Sequence, residues 1–165
     1  MIHTKPDLRV FLKWVIAGSG SVITDVIHLM IPTPEKLLAE IDSGEIPLAD
    51  IFSNADCNSL LDKRDSDSSF DSTYGAVWDT IEKHKSKLDR DPTEPIRKQS
   101  FLAVSNVTQQ HEIASYVSDD FELVAWHSLA LNREEISSSV SEFVEWIYSQ
   151  YRSGQFPCPP YIRGN

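Results

Sequence analysis

The chain has 165 residues, 41% hydrophobic and 24% charged, which excludes a disordered chain and allows one substantial core without disulfides. Asp and Glu number 25 against 15 Lys and Arg, and the resulting formal charge of -10 repels phosphate backbones and anionic lipid. Neither a nucleic acid nor a membrane is therefore expected as a partner. A single domain over 1–165 is expected, helical to about residue 90 and strand-containing from about 96 to 165.

Near the start, Leu8–Ile16 is apolar, but Arg9 and Lys13 interrupt the continuous core that a signal peptide needs, so a cytoplasmic protein is expected. Periodicity alone cannot type this run, and it is read as a helix. Gly18-Ser19-Gly20-Ser21 precedes a helical pattern in Val22, Ile23, Val26, Ile27, Met30 and Ile31. As a phosphate cradle the glycine pair lacks both a third glycine and a P-loop lysine, and it reads as a connector.

Thr33-Pro34-Glu35 has the composition of a helix start, with a capping hydroxyl, a proline in the first turn and an acid at the positive end of the dipole. Leu37, Leu38 and Ile41 face inwards, and Gly44 ends the helix. Pro47 opens a short turn carrying Leu48, Ile51 and Phe52. From Asn54 to Ser72 the chain is rich in Asp, Ser and Asn, and a loop is predicted. Tyr74, Val77, Trp78, Ile81 and Leu88 then share one helical face, predicting a helix over 72–88, before Pro92 and Pro95 break the pattern.

Phe101–Ser105 and Phe121–Ser128 begin with apolar runs of strand length, separated by a helical pattern in Ile113, Tyr116 and Val117. The expected fold is α+β, a helix-rich single domain with a small mixed sheet. The alternative is α/β with a βαβ unit in the C-terminal half, and a β-hairpin turning at 118–120 competes with that unit. Asn132-Arg133-Glu134-Glu135 resembles a capping box for a helix running from Ile136 to Tyr151, which Gly154 ends, and the prolines of Phe156–Tyr161 require an extended tail.

Catalytic motifs are scarce. His111-Glu112 has Ser115 where a zincin would place its second histidine, no Gly-x-Ser-x-Gly elbow occurs, and Cys57 and Cys158 form neither a zinc pattern nor a redox pair. No metal or other cofactor is expected. Asp56 and Asp62 should raise the Cys57 thiol pKa, arguing against a nucleophilic thiolate. Asp119, Asp120 and His127 are the remaining polar residues suited to acid–base work, on an expected turn and strand.

The most specific feature is charge placement. Between Glu40 and Asp71 nine acids face only Lys63 and Arg64, a net of -7. Concentrated negative charge steers a basic partner. The primary reading is a non-catalytic protein-binding or regulatory domain that uses this segment, with Asp56, Asp62, Asp65, Asp67 and Phe70 at the contact and Phe52, Phe156 and Tyr161 as further anchors. One alternative is an enzyme or small-molecule-binding domain with its site near Asp119, Asp120 and His127. The other is a structural subunit of a homo-oligomer.

Overall fold

The computed structural model describes residues 31–85, 91–131 and 136–161. The chain divides after Ile31, and the unit from Pro32 onward is described by itself. The expectations for Leu8–Ile16, for Gly18–Ser21 and for the helix beginning at Val22 fall before it, outside the described residues. The capping box at residues 132–135 also lies outside the described residues.

Seven helices and no strand occur among the described residues: α1 (Pro34–Asp42), α2 (Leu48–Phe52), α3 (Cys57–Asp65), α4 (Ser68–Lys85), α5 (Glu94–Thr108), α6 (His111–Leu131) and α7 (Ser138–Arg152). The expected α+β fold with a small mixed sheet is thus corrected, as is its βαβ alternative. Phe101–Ser105 lies within α5 and Phe121–Ser128 within α6. In α5 the buried residues Ile96, Ser100 and Val104 recur every four positions, a helical stripe that extends well beyond the five residues read as a strand. Gln109, in the left-handed conformation at φ 55°, closes that helix and turns the chain into α6. Contacts of Phe101 with His111 and of Arg97 with Ser118 make α5 and α6 an antiparallel hairpin.

The reason α6 reads as a strand is its position. Every residue from Asp120 to Ser128 is buried, because α1, α4, α5 and α7 all pack against this helix. A helix surrounded on all sides has a continuous apolar run in place of a 3.6-residue stripe. Phe121, Leu123 and Val124 are fully buried, each contributing roughly 1.5–3 kcal/mol by the usual transfer scale.

The loop expected over Asn54–Ser72 is also helical in large part. Its polar residues form helix starts: the Asp56 carboxylate accepts the Ser59 N–H at 3.1 Å to cap α3, and Asp67 accepts the Phe70 N–H at 2.8 Å at the beginning of α4. Thr33 caps α1, and Gly44 and Gly154, at φ 74° and 81°, follow the ends of α1 and α7. The tail after Gly154 runs without helix across the bundle, placing Phe156 against Phe52 and Tyr151 and Tyr161 against Phe143 and Trp146.

Candidate functional site

The central helix carries one carboxylate into the middle of the bundle. Asp120 is fully buried and receives both terminal nitrogens of Arg64, at 2.6 and 2.7 Å, in a bidentate pair. Tyr74 and Tyr151 donate their hydroxyls to the same carboxylate at 2.9 and 2.7 Å. Helices α3, α4, α6 and α7 each supply one member. Burial opposes the charge on Arg64, but the charge and hydrogen bonds of Asp120 more than offset it, so the guanidinium pKa is raised. Burial first, and Asp120 second, push both phenols well up and keep them protonated as donors.

Four aromatic rings enclose that guanidinium. Its carbon lies 4.9 Å from the Tyr74 centroid, 5.0 Å from Phe70 and 5.3 Å from both Tyr116 and Phe156. On the solvent side the cluster opens into a concavity of about 270 Å³. Arg64 forms its floor, and Phe70, Tyr74 and Tyr116 form its walls. Asp65 from α3, Asp71 from α4 and Asp119 from α6 stand at its mouth, all three exposed. Asp65 accepts the Tyr116 hydroxyl at 2.8 Å, which fixes one wall. The Asp119 carboxyl is pushed up by partial burial and by its neighbours Asp120 and Glu122, with Arg64 and Arg97 opposing.

The residues singled out from sequence therefore have distinct places. Of Asp119, Asp120 and His127, only Asp119 lines the concavity; Asp120 is the buried hub, and His127 is fully buried with Nε2 3.0 Å from Ser141 Oγ. Asp62 is exposed on α3, while Asp56 and Asp67 hold helix starts. Phe70 is buried among Tyr74, Phe143 and Trp146 and is one of the residues lining the concavity. Phe52 and Phe156 pack on each other at 5.7 Å. Arg64, Asp71, Tyr74 and Tyr116 were not legible as site residues: Arg64 and Asp71 lay in a presumed loop, and the tyrosines counted as helix-face apolar residues. The isolated basic pair Lys63-Arg64 within the acidic segment was the only available signal.

Among the described residues no group of three His, Cys, Asp or Glu is placed to hold a metal ion, and no helix is long and apolar enough to cross a membrane. Cys57 and Cys158 are free thiols whose pKa values burial pushes up, with Asp56 adding to the effect at Cys57. Elsewhere two further buried acids are engaged. Glu40 accepts Tyr148 and Arg152, and Glu122 accepts Lys85 and the Trp126 indole.

Fold and site together define a small helical unit with an acidic-mouthed, aromatic-walled concavity built over a buried ion pair. The family model for Immunity protein PIM1 matches residues 36–158, a span that enters in α1 and extends into the tail beyond α7, and the chain belongs to that family. Comparisons with curated proteins and with solved structures gave no match.

Proposed function

We propose that the chain is a non-catalytic immunity protein that binds a toxin protein and blocks it, through the acidic surface around the α3–α4 concavity. Membership of the Immunity protein PIM1 family is the observation that carries this reading. Charge supports the kind of partner: a net of -7 between Glu40 and Asp71, in a chain of -10 overall, favours a basic protein and speeds its approach. Asp62 and Asp65 are exposed within that segment, and Asp56 and Asp67 add their charge while capping helices. Residence in the cytoplasm belongs to the same proposal, supported by two cysteines that remain free thiols.

The test has two stages. Proteins captured from lysate on the tagged full chain are identified and expressed individually in a host cell, with and without the chain. The expected outcome is that one captured protein arrests growth and that co-expression restores it. A captured set in which none is toxic, or toxicity that the chain leaves untouched, refutes the reading.

A further inference from the structure

The concavity contains a guanidinium, which at first suggests an anionic ligand such as a phosphate or a carboxylate. Its surroundings argue otherwise. Both terminal nitrogens of Arg64 are already occupied by Asp120, so the pair is neutral as a unit and the fork is not open to a second carboxylate. Asp65, Asp71 and Asp119 then leave the mouth with three negative charges and no cation to balance them within the lining. An anion approaching this site meets repulsion; a cation meets attraction.

Size and wall chemistry narrow the ligand further. At about 270 Å³ the concavity lies just under the range of about 300–1,000 Å³ typical of drug-sized ligands, and it suits one inserted side chain. Three of its lining residues, Phe70, Tyr74 and Tyr116, are aromatic. A flat, weakly hydrated guanidinium stacks on such rings and forks onto carboxylates, whereas an ammonium is a strongly hydrated point charge. The chain already uses this chemistry internally, since Arg64 itself is held by a carboxylate within a cage of four rings.

Resting on the toxin-binding reading above, we infer that this concavity is the anchor pocket for an arginine side chain of the partner protein, seated beside the Tyr74 and Tyr116 rings and paired with Asp71 and Asp119. Asp71 and Asp119 are suited to that task because both are exposed, and neither side chain accepts a hydrogen bond from the described residues. They stand on different helices, so a single guanidinium entering between them would bridge α4 and α6. The arrangement resembles the centre of a protein interface, where buried arginines and aromatics carry most of the affinity.

The pocket is tested first without any partner. Acetyl-arginine-amide, with acetyl-citrulline-amide as its neutral counterpart, is titrated into the full 15N-labelled chain. Saturable shifts of the Asp71, Tyr74, Tyr116 and Asp119 amides are expected with the arginine compound only, and they should vanish in Asp71→Asn/Asp119→Asn. No saturable shift, or equal shifts with citrulline, overturns the inference. With a captured toxin, the same double variant should bind about tenfold more weakly, a change of about 1.4 kcal/mol. The control is Asp42→Asn/Asp50→Asn, which removes equal charge from exposed positions elsewhere in the acidic segment. Equal weakening in both variants, or none in the pocket variant, overturns the anchor while leaving toxin binding intact. If no toxin is found, the toxin-binding reading fails and the amide titration still decides the pocket.

Discussion

Asp120 accepts four hydrogen bonds from Arg64, Tyr74 and Tyr151, and its full burial makes each of them consequential. A buried ion pair adds little to stability compared with a well-packed apolar replacement, yet removing one member strands the other in a medium that solvates it poorly. Arg64→Met is therefore expected to cost about 3–5 kcal/mol, read as a lower urea midpoint at constant slope. Adding Asp120→Leu to that variant should recover much of the loss, because no uncompensated charge then remains. Should Arg64→Met alone leave the midpoint unchanged, the ion pair is not closed in solution as described. At this scale the sequence concealed more than it showed. Asp120 looked like one of a pair of turn acids with Asp119, and nothing in its neighbourhood indicated an arginine 56 positions away as its partner.

Among the elements, the short link between α5 and α6 concentrates the strain. Gln109 adopts φ 55°, a conformation in which the side chain crowds the following carbonyl at about 1–2 kcal/mol for an L-residue. Gln109→Gly removes that penalty and loses the Nε2 hydrogen bond to the Asn106 carbonyl, so a net gain of about 0.5–1 kcal/mol is expected in thermal or urea unfolding. A lower melting temperature would show that the side-chain contact outweighs the backbone strain. Helix boundaries and helix types differed in how far the sequence revealed them. Thr33-Pro34-Glu35 and Gly154 act through their immediate neighbours, and their helix boundaries were legible. The type of α6 depends on what surrounds it: Phe121 to Trp126 has no polar face because four helices cover it, and without that knowledge an apolar run of this length suits a strand equally well. In residues 54–72 local chemistry was present but misassigned, since Asp56 and Asp67 have the composition of a loop and the role of caps.

For the molecule as a whole, charge is the property most directly open to experiment. With -10 overall and -7 in one segment, association with a basic toxin should be fast at low salt and slow steeply as salt rises, because exposed charges are screened over about 8 Å at physiological ionic strength. The dissociation rate should change far less if the proposed anchor pocket supplies the contacts that hold the complex. Stopped-flow association across a salt series measures both. An association rate indifferent to salt would remove electrostatic steering from the account.

The wide separation of the hub's members along the chain has a consequence during synthesis. Residue 64 is made before residue 120, and residue 120 before residue 151, so Asp120 has its full set of donors only once α7 has left the ribosome. Until then a nascent chain carries a carboxylate in the middle of its longest described helix, without the Tyr151 hydroxyl and without the ring of Phe156 over Arg64. Shorter chains should therefore gain little by closing around that carboxylate, and the unit is expected to close only when α7 is available to it.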